Sequence, residues 1–145
     1  MKLSTRGRYG LLAMIDLAVA YGEGPMPLRE IAENRGLSEN YLEQLIAVLK
    51  KEKLVKSVRG AYGGYLLSRT PEEITVEDII TALEGPLAPV ECVAEDEPEH
   101  CIKQSECVTR FIWAKLRDSM KEVLSSITLE DLRKQTESIY EHKEV

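Results

Sequence analysis

With 145 residues, 43% of them hydrophobic and 6% aromatic, the chain has material for one core and a small additional element. No run of 18 apolar residues occurs, and residues 1–8 are basic without an apolar stretch or a small-residue cleavage site. Neither a membrane span nor a secretory signal is therefore expected, and the expected location is the cytoplasm. The net charge of −6 is unevenly divided: residues 1–70 carry 11 Lys and Arg against 7 Asp and Glu, whereas residues 71–145 carry 8 against 18. DNA responds to the local field, so a front of net +4 can bind phosphates on its own, although +4 also suits an ordinary protein surface.

In chain order, Leu11, Met14, Ile15, Ala18 and Val19 recur with helical spacing and predict a helix over 4–21, capped by Ser4 or Thr5 and ended by the Tyr21 to Pro25 segment. A short helix follows over 28–34, with Leu28, Ile31 and Ala32 inward. Arg35, Gly36 and Leu37 make a tight turn, and Ser38 caps a third helix over 38–51 with Leu42, Leu45, Ile46 and Leu49 as its buried stripe. Asn40, Tyr41, Glu43, Gln44, Ala47 and Lys51 fall on or beside the opposite face. This is helix-turn-helix spacing: Ala32 is small where two helices approach, Gly36 supplies a positive φ at the turn, and Leu42 packs back to set the crossing angle. An ordinary helical hairpin shares part of the pattern.

Residues 54–58 and 65–68 read as two short strands joined by Arg59, Gly60, Ala61, Tyr62, Gly63 and Gly64. A β-hairpin directly after a recognition helix is a wing. Its glycines let the backbone approach a sugar-phosphate surface, and Arg59 suits the negative potential of a minor groove. A nucleotide phosphate cradle is the competing reading, but the loop lacks the P-loop lysine and hydroxyl and opens no helix.

A helix over 75–84 is capped by Thr75 with Asp78 three residues on. Gly85 to Pro89 then breaks the pattern. From 108 to 127 a long helix is predicted, with Ile112, Leu116, Met120, Val123 and Ile127 on one face, widened by Phe111, Trp113 and Leu124. A face this apolar on a small chain is expected to meet its copy in a second chain, packing onto its own domain being the alternative. Thr128, with Asp131, caps a last helix to about 140, followed by a frayed tail. The expected fold is mainly α: a winged helix-turn-helix domain with a two-stranded wing over 1–84, a cysteine-containing sensor loop over 85–107, and a dimerisation helix with a C-terminal helix over 108–145.

All three cysteines, Cys92, Cys101 and Cys107, lie in one sixteen-residue stretch. Their odd number argues against a secreted disulfide framework, and their confinement points to one soft-metal or redox site. An iron–sulfur cluster, zinc, or a free-thiol switch all satisfy that chemistry, although the long spacings are not those of a zinc ribbon. With two histidines and no Ser/His/Asp arrangement, no catalytic constellation is readable, and an enzyme is not expected.

Residues 1–10 (MKLSTRGRYG), 38–45 (SENYLEQL) and 59–67 (RGAYGGYLL) resemble the IscR/NsrR/CymR-type family of bacterial winged-helix transcription regulators. The likeness runs from the first residue to about 132. Residues 83–91 carry CymR-like features, whereas Cys92 and residues 107–113 are similar to the cluster-binding loop of IscR-like members, to which the resemblance is closest. It implies a homodimer, most simply a repressor, whose long helices cross and whose paired readers meet a palindromic double-stranded DNA operator.

By that resemblance Tyr41 and Gln44, with Asn40 beside them, meet base edges or phosphates. Glutamine pairs bidentately with adenine, and Glu43 would accept from cytosine or repel the wrong sequence. Ser4, Thr5 and Arg6 are matched to phosphate, Arg59 to the minor groove, and Ser38 and Gly60 complete the set.

Cys92, Cys101 and Cys107 match the family's cluster ligands, with a 2Fe–2S cluster as the expected cofactor and 4Fe–4S as the alternative. The fourth ligand departs from the pattern. IscR-like members place a histidine where this chain has Arg110, and NsrR-like members use an acidic residue near position 8, where this chain has Arg8. His100 is the nearest substitute, although a solvated loop histidine is an equally good reading of it. The alternative function is a cofactor-free CymR-like regulator controlled by docking of a cysteine-biosynthesis enzyme on its acidic back.

Overall fold

The computed structural model describes residues 3–94 and 107–143. Among them are six α-helices and one two-stranded sheet: α1 (Thr5–Val19), α2 (Leu28–Arg35), α3 (Glu39–Lys51), β1 (Val55–Val58), β2 (Gly64–Leu67), α4 (Val76–Glu84), α5 (Val108–Ser125) and α6 (Leu129–Lys143). The mainly helical winged-helix architecture follows the order expected from the sequence, with no boundary shifted by more than three residues.

The caps explain the boundaries. Ser4, Ser38 and Thr75 each precede a helix, and their side chains accept from the backbone N–H of Gly7, Tyr41 and Asp78. Thr75 and Asp78 form a full capping box, and Thr128 and Asp131 repeat it before α6, at 3.0 and 3.1 Å. α2 stops at Gly36, whose φ of 65° lets the Leu37 N–H reach the Ala32 carbonyl at 3.0 Å. That left-handed turn sets the approach of α2 to α3. A paired ion contact reinforces it from α1: Arg35 Nε and Nη2 donate to the two Asp16 carboxylate oxygens at 3.0 and 2.6 Å.

The core gathers Met14 and Leu17 of α1, Ile31 of α2, Leu42, Leu45, Ile46 and Leu49 of α3, Ile79 and Leu83 of α4, and Leu129 of α6. The α3 stripe is the one the spacing predicts. α1 is rotated from expectation: Gly7, Gly10, Ala13, Met14, Leu17 and Ala18 are buried, and Val19 is exposed. The cause is a face of missing side chains. A Cβ on Gly10 would lie 2.1 Å from Leu83 Cδ1, and one on Gly7 would lie 2.8 Å from Glu84 Oε1, so α4 packs directly on the α1 backbone.

Antiparallel β1 and β2 pair Val55 with Leu67 and Val58 with Gly64. The hairpin is pinned close to its turn, where Met26 and Tyr65 exchange backbone hydrogen bonds of 3.0 and 2.9 Å. A Cβ on Gly64 would meet the Met26 carbonyl oxygen at 2.3 Å, so only glycine admits this crossing.

The C-terminal helix does not stay with the long helix that precedes it in the chain. The Leu129 N–H bonds the Ile74 carbonyl and the Val76 N–H bonds the Ile127 carbonyl, both at 2.9 Å. α6 thereby packs against α1 with Leu129 fully buried. α5 lies on the outside, against α4 and the short turn Glu91–Val93, and buries none of its residues. No helix among the described residues is long and apolar enough to cross a membrane.

Candidate nucleic-acid interface and thiol site

The exposed side of α3 carries Asn40, Glu43, Gln44 and Ala47 in solvent, opposite the buried leucines. Ser38 stands at its start, with its Oγ accepting the Tyr41 N–H at 3.2 Å, which leaves the hydroxyl proton available to a ligand. Tyr41 departs from the polar set. Its ring meets Tyr9 of α1 edge-on, with centroids 6.3 Å apart and planes at 87°, and its hydroxyl is buried without a hydrogen-bond partner in the described structure. Its ring packs against the first helix and does not stand in solvent with Asn40 and Gln44.

At the start of α1, Thr5 and Arg6 are exposed. Ser4, matched by resemblance to a phosphate, is engaged inside the molecule: its N–H donates to Glu84 Oε1 at 2.8 Å and its Oγ donates to the same oxygen. Glu84 ends α4 at the threshold of the cysteine-containing segment, so the first turn of α1 and the entrance to that segment share one carboxylate. Nothing in the sequence pairs residues eighty apart. Only the glycines at 7 and 10 hinted that α1 would be approached closely.

Arg59 and Gly60 are exposed at the hairpin turn, as expected of a wing. Lys50 Nζ donates to Ser57 Oγ at 2.9 Å, tying the end of α3 to β1. Sequence reasoning missed a compositional signal here. No acidic residue lies between Glu52 and Glu72, while Lys53, Lys56, Arg59 and Arg69 do. Arg69 faces Asp78 of α4 at 4.0 Å, so the positive potential of the hairpin itself rests on Lys56 and Arg59.

Cys92 is half-buried in the Glu91–Val93 turn, and Cys107 is exposed at the residue preceding α5. Arg117 Nη1 donates to the Val93 carbonyl at 2.9 Å, which fastens the Cys92 turn to α5. The Thr109 hydroxyl lies 3.0 Å from Cys107 Sγ. This hydrogen bond first, then the Arg110 backbone N–H, holds the Cys107 thiol below the ordinary cysteine range. The first unpaired N–H groups of a helix favour the same anion. Cys101 and His100 lie outside the described residues. Among the described residues, no group of three or more His, Cys, Asp or Glu forms a metal site.

Along α5, Val108, Phe111, Ile112 and Val123 are 82%, 65%, 51% and 57% exposed. Beside them, Leu3, Leu87, Ala88, Met120, Val123 and Leu124 line an open apolar groove of about 410 Å³. Lys115 Nζ stands 4.8 Å from the centre of the Phe111 ring, and these apolar side chains otherwise remain exposed in the described chain.

The arrangement has known counterparts. The Rrf2 family, described as an iron-dependent transcriptional regulator, matches residues 3–135. The HTH-type transcriptional regulator CymR of Bacillus subtilis (strain 168) is 52% identical over 137 residues, covering 94% of this chain and 93% of that protein. The HTH-type transcriptional regulator IscR of Sodalis glossinidius is 42% identical over 132 residues, covering 91% of this chain and 78% of that protein. The solved structure of CymR, titled the global cysteine regulator of B. subtilis, superposes with a TM-score of 0.77 at 52% identity over 93% of this chain and 98% of that one. The structure of T. potens IscR gives 0.78 at 51% identity, over 96% of this chain and 90% of that one.

Proposed function

This chain belongs to the Rrf2 family of transcriptional regulators, and from that premise we propose a homodimeric DNA-binding repressor whose loop thiols report iron–sulfur or sulfur-redox status. One observation carries the reading: a polar α3 face and an acid-free hairpin occupy the same chain as a pKa-lowered thiol at the start of an unburied helix.

Asn40, Glu43 and Gln44 would address base edges in the major groove, where glutamine can pair with adenine and Glu43 can accept from cytosine or repel its alternatives. Ser38, Thr5 and Arg6 would position the reader on phosphates, and Arg59 with Gly60 would follow the minor groove. Tyr41, packed on Tyr9, would serve by holding α3 against α1. The apolar face of α5 is where a second copy would bind, so that two α3 helices meet the halves of a palindromic operator. The reader would then span 1–84 and the sensor loop 85–107. Dimerisation would fall to the start of 108–145, with α6 lending its apolar side to the reader.

The donor set suits an iron–sulfur cluster: Cys92, Cys101 and Cys107 would supply thiolates, and Cys107 is already biased toward that form. A 2Fe–2S or 4Fe–4S cluster there would supply sensitivity to iron supply and oxidants. Both described thiols bear on α5, one through Arg117 and one as the residue that precedes it, so a change of state at them would alter the spacing of the paired readers. Anaerobic purification should yield a brown protein with stoichiometric iron and sulfide. A colourless, iron-free protein after reconstitution would remove the cluster.

The 52% identity to CymR favours a second reading, a cofactor-free regulator governed by docking of a cysteine-biosynthesis enzyme on the acidic residues of 71–145. It predicts an iron-free protein whose operator affinity changes on adding that enzyme.

A further inference from the structure

Tyr62 stands apart from the other aromatic side chains near it. Tyr9, Tyr41 and Tyr65 are half-buried against the core, whereas Tyr62 is 94% exposed at the turn of the hairpin. It contributes nothing visible to folding. Its position is nonetheless closely controlled. The Gly63 N–H closes the turn on the Gly60 carbonyl at 3.0 Å, and a Cβ on Gly63 would fall 2.1 Å from the Val58 carbonyl oxygen. β2 is pinned to Met26 through Tyr65, one pair from the turn, and β1 is tied to α3 through Lys50 and Ser57. A phenol with two rotatable torsions is thus presented on a turn whose strands are tied to Met26 and to α3, three residues from Arg59 and on the acid-free stretch.

A minor groove about 6 Å wide accepts a phenol ring on edge, its faces against the deoxyribose walls and its O–H toward the floor. The floor of an A·T pair offers only acceptors, adenine N3 and thymine O2. A G·C pair adds the guanine N2 amino group, a donor that opposes the phenolic O–H. Arginine on the same turn responds to groove potential, whereas a phenolic hydroxyl responds to base identity.

We propose that Tyr62 is a specificity-determining DNA contact that donates its phenolic hydrogen bond to a minor-groove acceptor and selects A·T over G·C beneath the hairpin. The proposal rests on the reading of β1 and β2 as a wing on DNA, and its test separates the two.

The probe is a duplex selected from a random pool by the full-length wild-type protein. Each A·T pair outside the palindrome arms is replaced in turn by G·C or by inosine·C, which keeps the G·C major-groove edge but lacks the amino group. At one flanking position the wild type should bind A·T and inosine·C alike and G·C about 3- to 10-fold more weakly, the range of one hydrogen bond. Tyr62→Phe should erase that discrimination. Tyr62→Ala should also weaken binding to all three duplexes, and Arg59→Ala should do the same. Both Tyr62 variants should melt with the wild type, since the side chain is free of the core. If Arg59→Ala weakens binding while the Tyr62 variants bind and discriminate as the wild type, Tyr62 is not the contact and the wing reading stands. If none of the three variants changes affinity, the wing itself is removed from the DNA interface.

Discussion

Single residues show where side-chain chemistry is set by immediate neighbours. Cys107 is the clearest case, because the Thr109 hydroxyl and the Arg110 N–H both favour its thiolate. A lowered pKa means a larger ionised fraction at neutral pH than an ordinary cysteine has. Thr109→Ala removes the larger cause and should move the alkylation profile of Cys107 to higher pH. Iodoacetamide labelling followed site by site with mass spectrometry reads this directly, and an unmoved profile would assign the reactivity elsewhere. Tyr41 illustrates the opposite limit. Its spacing grouped it with the residues on or beside the exposed face, yet it stands four before Leu45, at the border of the buried stripe. The length of its side chain and the presence of Tyr9 turned it inward.

Elements depend on a few contacts that cross between helices. The left-handed turn at Gly36 orients α3, and the Asp16–Arg35 pair joins α1 to the end of α2 with side chains 12% and 25% exposed. Removing the Asp16 charge leaves a guanidinium partly enclosed without its bidentate partner. Asp16→Asn should cost about 2 kcal/mol of stability, measured as a lower urea midpoint with an unchanged slope. An unchanged midpoint would mean the pair is solvent-screened despite its geometry. The α1–α4 contact rests on the same kind of crossing: Gly7 and Gly10 admit Glu84 and Leu83, and Glu84 in turn fixes Ser4. The start of the first helix is thus set by a residue at the end of the fourth.

At the scale of the whole molecule, the exposed apolar side chains of α5 are a surface that the described fold does not account for. A second copy is proposed to cover it. Phe111→Asp with Ile112→Asp should halve the mass measured by light scattering. Thermal melting of the reader should persist, because neither side chain is buried. Operator affinity should fall about 100-fold or more with the loss of the second half-site contact. A dimer that survives both changes would place the interface elsewhere. The charge division belongs to this scale as well, since a net of −6 conceals an acid-free hairpin between Glu52 and Glu72.

The sequence by itself determined the helix-turn-helix, the hairpin and the capping boxes. Each is specified by residues within a few positions of one another: a cap three before its acceptor, a glycine where φ must be positive, apolar residues at a fixed period. The exposed polar face of α3 was legible for the same reason. Tertiary structure alone decided that Tyr41 turns inward, that Ser4 is held by Glu84, that α6 closes the core of the N-terminal half through Leu129, and that α5 stays outside it. Those outcomes depend on which distant segments compete for the same buried surface. Local spacing carries no record of that competition, and only the folded chain resolves it.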